Sequence, residues 1–418
     1  MSISQERPSR AATVSHRMAK PGGPAFAWIG AALVLVLLGV AAWYFGPAGR
    51  EFRLAHADLL ALDGETRAAP QDGLAWYYLG RRLAARGATV DAVSALGQAQ
   101  TLRPQDPRIL VELGRALLDT GQTDPAFQVL KTAEARDPHS VEAHRLLGRL
   151  YQQRGAYHKA EPYWRAVVDR EPGDAQAWRA LALCYLQMQK IDPAERSAAR
   201  ALKLQPRDAA VLRVNGSVSA ARGDVESARR YFEDAVRFHP QDVRAQDDLA
   251  NFLLSQSRSA DGVQRAEEAV AALERLAPGY PLIPWHRGRV AAFHEDWKAA
   301  VADLRMTVQT VPRLDDAYFA LANAYYRLGA KKEGDAAMST FLRRSEMARQ
   351  MNEIQIRLAV TESPGLYFKL ARLRREAGLL SQARDAVRQG LQLSPRDPEG
   401  LAEEKRISQA EKQSQAGS

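Results

Sequence analysis

The chain has 418 residues, of which 46% are hydrophobic, 26% charged and only 7% aromatic. This length exceeds that of one compact domain, and the Ala-, Leu- and Arg-rich composition favours helices over strands. A net charge of +9 fits an anionic partner, a membrane surface or simply an arginine-rich proteome, and the single cysteine, Cys184, excludes an intramolecular disulfide and a zinc site built from several cysteines.

An uncharged apolar stretch lies near the N-terminus, at residues 25–46. About 20 apolar residues in a helix span a hydrocarbon core of about 30 Å, and Trp28, Trp43 and Tyr44 lie where aromatic side chains border a bilayer. A cleaved signal peptide is the alternative, but its apolar region is shorter and is followed by small residues. We therefore expect one uncleaved transmembrane helix that acts as a signal anchor.

The flanks of this stretch predict its orientation. Residues 1–24 form a basic arm, whereas acidic and basic residues are mixed just after the stretch. The positive-inside bias places the arm in the cytoplasm and the rest of the chain across the membrane. For a bacterium, which the composition favours, we expect a single-pass inner-membrane protein whose main domain is periplasmic. Residues 47–72 are predicted to be a linker with a capping helix over Glu51 to Leu62.

Beyond the anchor, the sequence repeats every 34 residues. The first copy contains Trp76, Leu79, Gly80, Leu83, Ala92, Leu96, Ala99 and Pro104, and the fourth contains Trp178, Leu181, Ala182, Tyr185, Ala194, Ala198, Ala201 and Pro206. The apolar spacing gives a helical stripe, and the small residue lets a second helix approach closely. A glycine such as Gly87 ends the first helix, and the proline ends the second. The pattern therefore predicts a series of paired helices.

These residues resemble the tetratricopeptide (TPR) pattern W-x2-L-G-x2-Y … A-x3-F … P. The resemblance covers five regular units in 73–242, degenerate units with insertions in 243–363 and a last unit in 364–397. One second helix is expected to overrun, from Ala336 towards Ala359, and the polar tail 398–418 is expected to be disordered. The resemblance predicts an all-α superhelical solenoid of helix-turn-helix units, preceded by the transmembrane helix.

The resemblance implies a protein-binding scaffold, since TPR superhelices bind partners in a concave groove lined by their first helices. Family positions place these arginines of the early units in the groove: Arg81, Arg108, Arg115, Arg145, Arg149, Arg179 and Arg213. The later units contribute Asp247, Asn251, Trp285, Phe293, Asp316, Phe319, Asn323 and Tyr326. Guanidinium groups suit carboxylates or phosphates, so we expect a protein partner with an acidic segment. The alternatives are a solvated face for the arginines and gap filling for the aromatic residues.

The sequence can be compared with two known kinds of TPR protein of established function. A chaperone-binding carboxylate clamp has Lys and Asn where this chain has Tyr77 and Arg81, which argues against that specificity. One anchor followed by repeats resembles bacterial envelope-assembly proteins, including those of cytochrome c maturation and of lipopolysaccharide control. The latter carry Cys-x2-Cys motifs that this sequence lacks. We expect a scaffold for an envelope or secretion complex.

No catalytic, cofactor or metal motif is found in the sequence. His286 and His294 are eight residues apart, which does not match the i, i+4 spacing of helical metal ligands, and Cys184 is typical of a small buried hydrophobe. We expect no enzyme activity, cofactor, metal or nucleic-acid partner, and make no prediction of oligomeric state. Two alternatives stay open: a cytoplasm-facing membrane adaptor that recruits an enzyme or protease, and a protein that binds an acidic exopolysaccharide during export.

Overall fold

The computed structural model describes residues 46–256 and 260–416. These residues form α-helices joined by short turns, and they contain no β-strand. They belong to two compact units, of which the first ends at Asp137 and the second begins at Pro138. The predicted all-α class is confirmed.

The first unit contains six described helices. They are α1 (Pro47–His56), α2 (Leu59–Ala68), α3 (Gly73–Ala85), α4 (Thr89–Leu102), α5 (Pro107–Asp119) and α6 (Thr123–Arg136). The pairs α3–α4 and α5–α6 follow the 34-residue period, and α1 and α2 precede them. Leu62, Leu96 and Ile109 are at most 1% exposed and lie in one continuous core.

The second unit contains fifteen described helices. The regular part comprises α7 (Val141–Gln153), α8 (Tyr157–Arg170), α9 (Ala175–Gln187), α10 (Ile191–Leu204), α11 (Ala209–Arg222) and α12 (Val225–Phe238). The degenerate part comprises α13 (Val243–Gln256), α14 (Ala260–Leu276), α15 (Ile283–Phe293), α16 (Trp297–Thr310), α17 (Asp315–Arg327) and α18 (Lys331–Val360). The end comprises α19 (Pro364–Glu376), α20 (Leu380–Leu393) and α21 (Pro398–Ala416). Helix α18 has 30 residues, which confirms the predicted overrun.

Short polar side chains and left-handed turns define the helix ends. The first helices of the regular units begin at residues whose side chains accept a backbone N–H hydrogen bond: Asp72, Asp106, Ser140, Asp174 and Asp208. Such caps satisfy one of the unpaired donors of a first turn. The chain then turns at a glycine with positive φ, as at Gly87 (79°) and Gly121 (76°). Gln189 and Glu295 adopt the same conformation in two units that have no glycine there.

The small residue of each first helix lies against the second helix of its own pair. A Cβ atom added at Gly80 would lie 2.5 Å from Leu96 Cγ, and one added at Gly148 would lie 2.9 Å from Trp164 Cε2. Both distances are well below van der Waals contact, so a larger residue would force the helices apart. The predicted reason for the small residue is therefore confirmed.

The structure corrects two expectations about the ends of the array. The single helix expected over Glu51 to Leu62 is instead two helices, because the Asp58 side chain accepts a hydrogen bond from Ala61 N (2.8 Å) and starts α2. The tail expected to be disordered forms α21 from residue 398 to 416. It buries Ile407 and Glu403, and the Glu403 carboxylate accepts a 2.5 Å hydrogen bond from Arg375 Nε.

The predicted transmembrane stretch, residues 25–46, lies outside the described residues except for Gly46. Within the residues that are described, no helix is both long enough and apolar enough to cross a membrane.

Candidate functional site

Two of the predicted groove arginines of the first unit, Arg81 and Arg108, lie close to the ring of Tyr77. The guanidinium carbon of Arg81 is 5.6 Å from the ring centroid, and that of Arg108 is 5.8 Å away. Arg81 and Arg115 both pair with the Glu112 carboxylate, at 3.5 and 3.2 Å. The structure therefore brings these arginines together, but it also gives them a carboxylate of their own chain.

Helix α1 contacts one end of this cluster. Glu51 Oε1 accepts hydrogen bonds from Arg108 Nη1 (2.6 Å) and from the Tyr78 hydroxyl (3.1 Å). The hydrogen bond from Arg108 holds the pKa of Glu51 below its usual range, and the carboxylates of Asp106 and Glu51 raise the pKa of Arg108. Arg108 is thus engaged by two carboxylates of the first unit, although its side chain is 49% exposed.

In the second unit, Arg145 lies in a network of three carboxylates. It pairs with Glu142 (3.2 Å), with Glu171 (2.6 Å) and with Asp174, the residue that caps α9. Burial favours a higher pKa for Asp174, but the hydrogen bonds from Arg145 and from the backbone outweigh it and leave the pKa lowered. This network joins neighbouring repeats and neutralises the arginine.

The other predicted arginines of this unit differ in their surroundings. Arg213 pairs with Asp248 at 2.5 Å, and burial is the main cause of the raised pKa of that carboxyl group. Arg179 donates a 2.9 Å hydrogen bond to Gln176 Oε1, and burial lowers its pKa. Arg149 is exposed and makes no hydrogen bond or ion pair with any described residue. Arg149 is therefore the most available cation of the predicted ladder.

The first helices α13 and α15 are joined by polar contacts. Asn251 Oδ1 accepts a 2.8 Å hydrogen bond from Arg289 Nη1, and the Arg289 guanidinium lies 5.0 Å from the ring centroid of Trp285. Trp285 is only 8% exposed, so it packs between repeats. Sequence reasoning missed Arg289, although it directly follows the small residue Gly288 and so matches the position of the predicted arginines.

His286, Asp247 and Tyr280 form a hydrogen-bonded triad next to these residues. His286 is 1% exposed, and its Nε2 atom lies 2.7 Å from Asp247 Oδ1. The Tyr280 hydroxyl donates to Asp247 Oδ2 at 3.1 Å, and burial raises the pKa of Tyr280 to about 12. Asp247 is therefore a structural acceptor for α15 and the turn before it, not a contact for a partner.

Three exposed predicted residues lie on one side of α17, where Phe319, Asn323 and Tyr326 follow each other at i, i+4 and i+7. We refer to these three residues as the α17 face. Phe319 is 45% and Tyr326 38% exposed, and Asn323 is also exposed. On the opposite side, α17 buries Leu321 and Ala322. The α17 face thus exposes an amide and part of two aromatic rings, of which Phe319 also lies 5.2 Å from the ring of Phe341 and Tyr326 also donates a 3.0 Å hydrogen bond to Asp335.

Cys184 and metal-binding side chains are the remaining groups that the sequence analysis considered. Cys184 is fully buried, and burial raises the pKa of its thiol to about 12. Across the described ranges, no cluster of three or more His, Cys, Asp or Glu side chains is arranged to hold a metal ion.

Three protein-family models match parts of the chain. The model of the cytochrome c-type biogenesis protein H TPR domain matches residues 57–170. Two models described as tetratricopeptide repeats match residues 151–214 and 216–282. A search among curated protein sequences finds no significant match.

Solved structures with similar folds include a tetratricopeptide repeat protein from Parabacteroides merdae. It aligns with a TM-score of 0.51 and 16% identity, over 60% of this chain and 97% of that one. The APC/C hetero-tetramer Cut9–Hcn1 aligns with a TM-score of 0.46 and 14% identity, over 84% and 81%. YrrB, described as a TPR protein with an unusual peptide-binding site, aligns with a TM-score of 0.41 and 16% identity, over 45% and 96%. At 16% identity, the Parabacteroides merdae structure supports the repeat fold alone. The other two alignments have TM-scores below 0.5, so they support no further statement about this chain.

Proposed function

Because the chain is built of tetratricopeptide repeats, we propose that it is a membrane-tethered scaffold that binds protein partners during assembly of a cell-envelope or secretion complex. Proteins of this repeat class mediate protein–protein interactions through extended surfaces of stacked helices. The main support from this chain itself is the α17 face, because two aromatic residues and an amide are exposed on one side of a first helix.

The chemistry of the α17 face suits an extended segment of a partner protein. Aromatic side chains contribute large contact areas at low entropic cost, and they dominate many interfaces. The Asn323 amide can donate to a peptide carbonyl and accept from a peptide N–H group. An acidic segment in the partner stays a prediction that depends mainly on Arg149, since most of the other arginines pair with carboxylates of this chain.

Cytochrome c maturation is the specific pathway that we propose. Its support is the family model for the TPR domain of a cytochrome c-type biogenesis protein, which covers α2 through α8. Deletion of the gene from the source bacterium is expected to lower the amount of haem attached to c-type cytochromes, measured by haem staining of a gel. Unchanged staining would contradict the pathway but not the scaffold.

The membrane tether and its orientation are proposed from residues 25–46 and from the basic arm before them. The protein is expected to stay in the membrane pellet after a carbonate wash. Alkaline phosphatase fused after residue 60 is expected to be active, and a reporter that works only in the cytoplasm, fused at the same point, to be inactive. The opposite pair of results would indicate the cytoplasm-facing adaptor.

Partner binding at the α17 face is tested by replacing Phe319 and Tyr326 with Ala in the full chain. Capture of each crosslinked partner from membranes is expected to fall about tenfold or more, since loss of an aromatic anchor costs about 2 kcal/mol or more. The matched control replaces Leu342 and Ile356, which are 58% and 60% exposed on α18. Equal capture by both double variants would show that the α17 face is not the binding site.

A further inference from the structure

The last repeat of the second unit contacts its first repeat. Arg154, in the turn after α7, pairs with Asp385 of α20 at 2.9 Å. Lys159 of α8 donates a 3.1 Å hydrogen bond to Gln389, and its ammonium lies 5.8 Å from the ring centroid of Tyr367. The side chains of Arg154 and Asp385 are only 12% and 14% exposed, so the contact largely excludes water.

A cavity of about 360 Å³ lies between these two repeats. One part of its wall is apolar and is formed by Tyr151, Leu358 and Leu370. The other part contains the cationic residues Lys159 and Arg374, together with the Arg154–Asp385 pair. The volume falls within the range of small-molecule sites, which are mostly apolar with a few convergent polar groups.

Arg374 is the unusual group in this wall. It is 9% exposed, and it makes no ion pair with any described residue. Its Nη1 atom donates a 3.1 Å hydrogen bond to the Gln382 carbonyl, which carries no charge. Burial lowers the pKa of Arg374 to about 10, so the guanidinium is still charged at neutral pH. The charge of Asp385 acts against this shift without contacting Arg374, so the buried cation is only partly compensated, and a bound anion lowers the remaining cost.

The surroundings of Arg374 leave an excess of positive charge. Asp385 is in contact with Arg154, and Glu362 accepts a 3.4 Å hydrogen bond from the Tyr367 hydroxyl. Burial, with Lys159 and Arg374 nearby, lowers the pKa of His158 and keeps it neutral at pH 7. The cavity is thus lined by three cations (Arg154, Lys159 and Arg374) and two carboxylates (Asp385 and Glu362). Helix α8 begins beside it, after Ala156, without a side-chain cap, which adds positive potential.

We propose that this cavity binds a small organic oxyanion, a carboxylate or a phosphate, through Arg374 and Lys159, with the apolar part of the ligand against Tyr151 and Leu370. The planar fork of Arg374 matches both kinds of oxyanion. Such a ligand contacts both repeats, so its binding stabilises their association. The scaffold would then respond to a small molecule as well as to its protein partners. This inference does not depend on the membrane tether or on the pathway.

The test uses the full chain in detergent micelles, with succinate and glycerol 3-phosphate as probes and sodium chloride at matched ionic strength as the control. Thermal unfolding and calorimetric titration are expected to show saturable binding of at least one probe. Arg374→Met is expected to weaken that binding about tenfold or more, since a hydrogen bond to a charged group contributes about 1.5–3 kcal/mol. Arg396→Met, an exposed change outside the cavity, is expected to leave the affinity unchanged.

Two further variants keep the test decisive if Arg374→Met does not fold. Asp385→Asn removes a negative charge from the wall and is expected to strengthen oxyanion binding, whereas Lys159→Met is expected to weaken it. Opposite shifts of these two variants support the proposal. Stabilisation no greater than that given by sodium chloride, or equal affinity in wild type, Lys159→Met and Asp385→Asn, would overturn it.

Discussion

The contact between Gly80 and Leu96 allows a sharp test of helix packing in the first unit. A Cβ atom at position 80 would lie 2.5 Å from Leu96 Cγ and 3.2 Å from its backbone nitrogen, so the side chain cannot relieve the clash alone. Overpacking of a core costs about 1–3 kcal/mol, and replacing Gly by Ala in a helix returns about 1 kcal/mol. The difference is a net destabilisation of the first unit by Gly80→Ala of up to about 2 kcal/mol.

Gly97 provides the matched control within the same helix pair. It lies inside α4, and an added Cβ atom would meet nothing within 4 Å. Gly97→Ala is therefore expected to stabilise the unit by about 0.5–1 kcal/mol, because only the propensity gain applies. Hydrogen exchange of α3 and α4 in residues 46–418 measures both changes, and it reports local stability in a repeat array that need not unfold in one step.

A double-mutant cycle then tests the stated cause. Leu96→Ala removes the side-chain atoms that the new methyl group of Gly80→Ala would contact, so Gly80→Ala should be less destabilising in that background, where only the 3.2 Å contact with the backbone nitrogen remains. If Gly80→Ala has the same effect with and without Leu96, the clash with Leu96 is not the reason for the glycine.

Three further predictions follow from the site. Arg145→Glu should lower the melting temperature of residues 46–418, because it leaves Glu142, Glu171 and Asp174 without their cation. The control Arg149→Glu should change the free energy of unfolding by no more than about 0.5 kcal/mol. Cys184 should react slowly with a thiol reagent at pH 8 when folded and quickly after unfolding, since its raised pKa keeps the thiol protonated. Folding lowers the pKa of Glu51 from its usual value of 4.5, so the Glu51 carboxylate stabilises the first unit above pH 4.5. This stabilisation is lost as the pH falls through the pKa of Glu51 in the folded protein. Glu51→Gln should therefore weaken the pH dependence of first-unit unfolding in this range.

The repeat itself could be predicted because each motif residue has a local structural reason. Gly80 and Gly148 lie where a helix crosses closely, and Gly87 takes a left-handed turn. The close helix contact and the left-handed turn recur every 34 residues, so the same residue types appear several times in the sequence. Positions on the first helix follow from the same register, which is why Phe319 and Asn323 could be assigned to one side of α17, where both are exposed.

The ion pairs could not be predicted in the same way, because their partners lie in neighbouring repeats. Arg145 meets Asp174, 29 residues later, and Arg213 meets Asp248, 35 residues later. Part of this arrangement can be recognised in the sequence, because carboxylates such as Asp174 follow the closing prolines and cap the first helix of the next repeat. The contact between Arg154 and Asp385 joins residues more than 200 positions apart and has no such signal.

The C-terminal helix shows the limit of composition as a guide. Its sequence is polar, but Ile407 and Glu403 are four residues apart and therefore lie on the same side of α21. Both are 1% exposed, and Arg375 of α19 binds the Glu403 carboxylate. A buried apolar residue and a buried carboxylate paired with Arg375 thus help to hold a helix that its average polarity does not predict.

Site-specific photo-crosslinking in intact cells tests the scaffold function most directly. A photoreactive amino acid replaces Phe319 in one version of the full chain, Tyr326 in a second and Leu342 in a third, as an exposed control on α18. We expect positions 319 and 326 to crosslink to the same protein and position 342 not to do so. Crosslinks of equal strength at all three positions, or none at 319 and 326, would contradict partner binding at the α17 face.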